Sequence, residues 1–113
     1  MARIRLYHGT DWQSANDILV NGLDAAKAAR YNGGGEFWAT TDILVAEWFA
    51  RTNPSSGSPA CFGFELDNDA LQQFCGILPG VVVVHGAQDY EFLPESFPML
   101  NAAMTNLTVQ VIT

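Results

Sequence analysis

Two short segments of this chain combine a histidine, glycines and aromatic rings in a way that could hold a small ligand. Residues 6–10 read Leu-Tyr-His-Gly-Thr, an apolar strand that ends in a histidine and a glycine. Residues 35–42 read Gly-Glu-Phe-Trp-Ala-Thr-Thr-Asp. An imidazole forms hydrogen bonds, a glycine leaves backbone amides accessible, and aromatic rings offer flat faces for stacking. This combination predicts a site for a flat ring attached to a sugar, as in nicotinamide riboside.

Short strands and short helices must position these segments. Alternation of apolar and polar residues predicts a strand over 3–8, and a continuous run of valines predicts a buried strand over 81–85. Further strands are predicted over 36–40, 60–66, 89–93 and 107–112. Helical spacing with capping residues predicts helices over 11–21, 24–30, 42–52, 67–74 and 96–103. Their N-caps are predicted at Thr10 or Asp11 for the first helix, at Thr41 for the third and at Asp67 for the fourth.

The order of these elements favours a single α+β domain over residues 1–113. The last three strands follow one another too closely for helical crossovers, which favours a mixed or antiparallel sheet with short flanking helices. A Rossmann nucleotide site is disfavoured, because the glycines at 33–35 precede a strand instead of joining a strand to a helix.

Composition narrows the classes of partner. The chain has 113 residues, of which 49% are apolar, and a formal charge of −7, so it should not bind nucleic acid or anionic membranes non-specifically. No metal is expected, since Cys61, Cys75, His8 and His85 lack the paired spacing of structural zinc sites. Both cysteines are interpreted as small core residues. No signal peptide or membrane-spanning run is visible, which predicts a cytoplasmic protein or a delivered effector domain.

The two segments resemble signatures of the ADP-ribosyltransferase superfamily, in the histidine-type branch that includes diphtheria toxin and the poly(ADP-ribose) polymerases. The first signature there is a strand ending in histidine-glycine, here Tyr7-His8-Gly9-Thr10. The second is a glycine, an aromatic strand, a small polar residue and a helix with an alanine and another aromatic. This chain matches it with Gly35, Phe37, Trp38, Thr40, Thr41, Ala46, Trp48 and Phe49. The resemblance implies a compact, bacterial-toxin-like member with a small split sheet.

The resemblance also implies which groups hold the nicotinamide half of NAD. His8 would hydrogen-bond a hydroxyl of the ribose next to nicotinamide, and the backbone of Gly9 would pair with the carboxamide. Thr10 is part of the same cofactor-binding set.

Two aromatic side chains would sandwich the nicotinamide ring. The family's spacing of eleven residues fits Phe37 with Trp48 and equally Trp38 with Phe49, so the register stays open. The alanine before the second aromatic favours the first pair. The tyrosines found at these positions in the family are absent, but stacking needs only a π face.

A glutamate in a late strand is the third signature, and Glu91 is the candidate in the sequence Asp-Tyr-Glu-Phe at 89–92. Its carboxylate would stabilise the positive charge that develops on the ribose as the bond to nicotinamide breaks. Together with His8 it forms the expected catalytic pair. Glu95 is the alternative carboxylate, although its place near a helix start suits a routine partner of the helix dipole.

The function implied is NAD-dependent mono-ADP-ribosyl transfer to a macromolecular acceptor with release of nicotinamide. NAD is then a co-substrate, the acidic chain favours a protein acceptor over nucleic acid, and a neutralising partner protein would suit a toxin-like enzyme. One alternative is an NAD glycohydrolase with water as acceptor. Another is a non-catalytic module that binds NAD or ADP-ribose. Transfer of an RNA 2′-phosphate to NAD is disfavoured, because the chain has only five basic residues.

Overall fold

Capping side chains and alternating apolar residues determine where the elements begin and end. The computed structural model describes residues 3–24, 37–52, 58–76, 89–92 and 96–112. Its strands are β1 (Arg3–Asp11), β2 (Phe37–Thr40), β3 (Pro59–Asp67), β4 (Cys75–Gly76), β5 (Asp89–Phe92) and β6 (Thr105–Val111). Its helices are α1 (Trp12–Asn21), α2 (Ile43–Thr52), α3 (Asn68–Phe74) and α4 (Phe97–Ala103). The helix predicted over 24–30 and the strand predicted over 81–85 lie outside the described residues.

The helix caps were predicted correctly in two of three cases. Asp11 caps α1, since its carboxylate accepts from the Ser14 amide at 2.7 Å. Asp67 accepts from the Asp69 amide at 2.9 Å at the start of α3. The Thr41 cap was wrong: Asp42 accepts from the Leu44 amide instead. A carboxylate satisfies a free amide and carries charge toward the positive end of the helix, which a threonine hydroxyl lacks.

The described strands form one six-stranded sheet in the order β4-β5-β2-β1-β3-β6, with every pairing antiparallel. The predicted α+β class with an antiparallel sheet is therefore confirmed. β1 and β3 pair along nine residues, whereas the register between β1 and β2 contains the single pair Tyr7↔Thr40. The sheet consequently consists of two halves that meet at one narrow junction.

Apolar side chains cover both faces of this sheet. On one face α1 and α4 pack against an aromatic cluster of Phe37, Phe62, Phe64 and Phe92, all fully buried. On the other face Ala46 and Ala50 of α2 pack against β1 and β3. Helix α2 lies so close to β1 that a Cβ at Gly9 would be 2.0 Å from the Ala46 carbonyl oxygen. None of the described helices is long and apolar enough to cross a membrane.

One side-chain amide ties the end of α1 to α4. The Leu23 amide donates to Asn101 Oδ1 at 2.8 Å, and Asn101 Nδ2 donates to the Leu23 carbonyl at 2.9 Å. Replacing Asn101 by alanine should lower the free energy of unfolding by about 1–3 kcal/mol, because both Leu23 groups lose their partner. Urea denaturation measures this. The control is Asn21→Ala, which removes only an exposed contact to Asp17 and should cost less than about 0.5 kcal/mol; equal losses for the two variants would contradict the account.

Candidate active site

The first two sequence signatures meet where β1 and β2 stop pairing. Beyond Tyr7↔Thr40, His8 and the residues after it remain paired with β3, while β2 continues along β5. We call this place the strand junction: residues 8–10 of β1 and 37–39 of β2. His8 Nδ1 lies 2.6 Å from the backbone oxygen of Trp38. A side-chain hydrogen bond therefore links the two strands where their backbone ladder ends.

The imidazole of His8 is held in one orientation. Its ring packs against Phe37 with centroids 4.4 Å apart, and the residue is only 1% exposed. Because a carbonyl oxygen can only accept, Nδ1 carries the proton in its contact with Trp38. In the neutral ring this makes Nε2 an acceptor, which is the group that a ribose hydroxyl would require.

The backbone of Gly9 is directed into the strand junction. The Trp12 amide donates to the Ser58 oxygen at 2.7 Å, and this bond continues the β1–β3 ladder. It shows which residues of β1 form backbone hydrogen bonds with β3. In an antiparallel ladder, residues that bond to the partner strand alternate with residues whose N–H and C=O point away from it. Gly9 belongs to the second set, so its donor and acceptor point toward β2. A primary carboxamide needs one of each.

Thr10 adds a buried hydroxyl on the same side of β1 as His8. The residue is 1% exposed, and Oγ1 has no hydrogen-bond partner within the part of the chain that the structure describes. A buried hydroxyl without a partner is costly, so it calls for a water molecule, an ion or a ligand. That Thr10 belongs to a cofactor-binding set with His8 and Gly9 stays a prediction.

The structure does not bring together the favoured aromatic pair. Phe37 is fully buried against His8 and the other core phenylalanines. Trp48 is 59% exposed on α2, the helix that packs on the opposite face of the sheet. The two rings therefore cannot sandwich one ligand in this arrangement. Trp38 is half-buried, and Phe49, its alternative partner in the sequence, packs edge-to-face on Trp48 at 5.1 Å.

Glu91 is joined to the strand junction through Trp38. Its position in β5 pairs with Trp38, the residue whose carbonyl contacts His8. Tyr90 and Phe92, on either side of it, are buried in the aromatic core. Position 91 alternates with them along β5 and so lies on the same face of the sheet as Trp38, whereas His8 lies on the face of the aromatic core. The strand register thus places positions 8 and 91 on opposite faces of the sheet, so the structure does not bring the expected catalytic pair together on one face.

Cys61 pairs with Gly9 across the β1–β3 ladder and is buried. Burial, followed by the nearby charge of Glu47 and opposed by Arg51, raises the pKa of the Cys61 thiol from 9.0 to about 12. A thiol with this pKa is no nucleophile at neutral pH. The expectation of a small core residue is confirmed for Cys61; the side chain of Cys75 lies outside the described part of the structure.

The raised pKa predicts loss of stability in alkaline solution. The unfolded thiol ionises near pH 9.0 but the folded one only near 12, so its contribution is intact below pH 9 and declines as the pH rises toward 12. We expect the free energy of unfolding to fall more steeply above pH 9 in a Cys75→Ser chain than in one that also carries Cys61→Ala. Iodoacetamide should label Cys61 only after unfolding; rapid labelling of the native chain would contradict this.

Sequence reasoning missed one group of this site, the carbonyl oxygen of Trp38 that contacts His8. It is a backbone atom, and its position depends on where the β1–β2 pairing ends, which residue types do not reveal. Comparison of the chain with protein families, with curated proteins and with solved structures finds no match.

Proposed function

We propose that this protein is an NAD-dependent mono-ADP-ribosyltransferase whose strand junction holds the nicotinamide half of NAD. The observation that carries the proposal is the 2.6 Å contact between His8 Nδ1 and the Trp38 oxygen, which joins the histidine-glycine strand to the aromatic strand. The backbone direction of Gly9 and the buried hydroxyl of Thr10 support it. These groups supply a donor and an acceptor for a carboxamide and an acceptor for a ribose hydroxyl.

The reaction breaks the bond between ribose C1′ and the nicotinamide nitrogen. The electron pair leaves with nicotinamide, which turns from a pyridinium into a neutral ring, and positive charge develops on the ribose. The carboxylate of Glu91 stabilises that charge and accepts the proton of the incoming acceptor. Because positions 8 and 91 are on opposite faces of the sheet, the proposal requires the ribose to lie between β1 and β2, where it could reach both residues.

A protein side chain is the proposed acceptor. The chain carries a charge of −7, so polyanions such as RNA and DNA are repelled over most of its surface. With water in place of the acceptor, the same site would hydrolyse NAD. An enzyme that modifies host proteins would also need a neutralising partner in the cell that makes it.

The second candidate function is binding of NAD or ADP-ribose without turnover. It is favoured by the full burial of Phe37 and the exposure of Trp48, because neither ring is placed to stack on nicotinamide. A chain that retains His8 and Gly9 but lacks an aromatic clamp could bind NAD or ADP-ribose without breaking the bond to nicotinamide.

Incubation with NAD labelled in the adenine half tests these alternatives. Transfer predicts free nicotinamide together with labelled protein when cell lysate is added. Hydrolysis predicts nicotinamide and free ADP-ribose with no labelled macromolecule. A binding module predicts no nicotinamide but a measurable affinity in calorimetry. Absence of both turnover and binding would overturn the proposal.

A further inference from the structure

The outer side of β6 is the unpaired edge of the sheet in the described part of the chain. β6 is last in the strand order and pairs with β3 alone. It reads Thr-Asn-Leu-Thr-Val-Gln-Val, with no charged residue and no proline. Charges, prolines and very short strands are the usual protection of such an edge against pairing with another chain. This seven-residue edge has none of them, and the irregular pairing between Gly63 and Glu65 affects only its first residues.

The alternation of hydrogen bonds between β3 and β6 shows which backbone groups of β6 face away from the sheet. The Ile112 amide donates to the Pro59 oxygen at 2.9 Å, just beyond the pair Ala60↔Val111. By alternation along an antiparallel ladder, Val109 and Val111 direct their N–H and C=O away from β3. These donors and acceptors form the row that an added strand would use.

The side chains of this edge are complementary to those of a second, antiparallel copy of the same strand. The regular part of the strand is residues 107–111, because Asn106 has a positive φ of 52° and the register shifts between Gly63 and Glu65. An antiparallel copy related by a two-fold axis at Val109 would place Leu107 opposite Val111, and Val109 opposite its own copy. Apolar cross-strand pairs of this kind stabilise sheets. On the other face, Thr108 would meet Gln110.

Contacts within the chain hold β6 in this arrangement. The guanidinium of Arg5 crosses β3 and donates to the Asn106 oxygen and to Thr108 Oγ1. It passes over Gly63, where a Cβ would lie 2.9 Å from Arg5 Nη2. Arg3 donates to Thr105 Oγ1. The strand is therefore anchored at its polar N-terminal end. Its apolar residues Leu107, Val109 and Val111 are in position to pair with another strand.

We propose that a second copy of this chain pairs with β6 in antiparallel fashion, which would make a symmetric dimer with one continuous sheet. Symmetric pairing of identical patches is the commonest route to a homodimer. Each copy carries −7, so repulsion between copies opposes the dimer and added salt strengthens it.

Sedimentation or light scattering over a range of concentrations tests the proposal. The wild type should show twice the 12.3 kDa mass of the chain when concentrated, and the single mass on dilution. Val111→Pro removes an outward N–H and breaks no bond to β3, so it should be monomeric at the same concentrations. Val111→Ile retains both that N–H and an apolar β-branched side chain, and should dimerise like the wild type.

Hydrogen exchange at the Val109 amide gives a second measurement that does not require the proline variant to fold. In the wild type this amide should be protected when concentrated and should exchange quickly on dilution. A wild type that is monomeric at every concentration, or a folded Val111→Pro variant that dimerises like the wild type, would overturn the proposal. So would protection of the Val109 amide in the monomer, because the chain itself would then cover the edge.

Discussion

Replacing Glu91 by glutamine is expected to lower the rate of nicotinamide release from NAD by roughly 10²- to 10³-fold, the loss typical of one preorganised charge-stabilising group. Glutamine keeps the size and the hydrogen-bonding oxygen of the side chain but removes its negative charge. The backbone pairing of position 91 with Trp38 does not depend on that charge. Thermal stability should therefore change little while turnover falls, and a continuous assay of nicotinamide checks this.

Glu95→Gln is the matched control for the same reaction. It removes the alternative carboxylate, which lies four residues further along the chain and outside the described residues. Its turnover should remain within about two-fold of the wild type, because the proposal assigns the charge stabilisation to Glu91 and no catalytic role to Glu95. A large loss for Glu95→Gln with little loss for Glu91→Gln would contradict the assignment of the catalytic carboxylate.

Replacing Gly9 by alanine is expected to destabilise the fold by about 3 kcal/mol or more, at the upper end of the range for overpacking. The new Cβ would lie 2.0 Å from the Ala46 oxygen and 2.9 Å from the Ala50 nitrogen. Both are backbone atoms of α2, so the clash is relieved only by moving the helix away from β1. Urea denaturation followed by circular dichroism gives the free energy of unfolding.

Gly63→Ala provides the control for this substitution. A Cβ there would lie 2.6 Å from Thr108 Oγ1 and 2.9 Å from Arg5 Nη2. Both atoms belong to side chains that can rotate away, so the expected loss is about 1 kcal/mol, the value of the contact between them. A Gly9→Ala chain as stable as Gly63→Ala would show that α2 does not rest on β1 at this residue.

The elements were largely predictable, because each is encoded locally. β1 begins with alternating polar and apolar residues, β3 is a mostly apolar run, and Asp11 and Asp67 lie directly before their helices. Strand ends were less certain: β1 extends to Asp11 instead of ending near His8, because its pairing with β3 continues to Pro59. Pairing of this kind involves residues almost fifty positions apart, and the local pattern does not contain it.

The site was predictable only in part. His8 and Gly9 are marked by their residue types, and the structure places both where β1 and β2 stop pairing; that they bind a ligand there stays a prediction. The aromatic pair was wrong as a clamp, because spacing along the chain does not say which face of the sheet a helix will cover. Phe37 is on the face of α1 and α4, while α2 carries Trp48 to the other side. Only the packing of the whole sheet determines that difference.

The central claim is that the strand junction at His8 binds the pyridine ring and its ribose, and the imidazole itself can report this. The chain has two histidines, so in a His85→Gln variant every imidazole signal in a nitrogen-edited NMR spectrum comes from His8. Titration with NAD should shift the Nε2 and ring-proton resonances of His8 in a saturable manner, with nicotinamide moving a subset of them. If calorimetry shows that NAD is bound while the His8 signals stay unchanged, the ligand lies elsewhere and the claim is wrong.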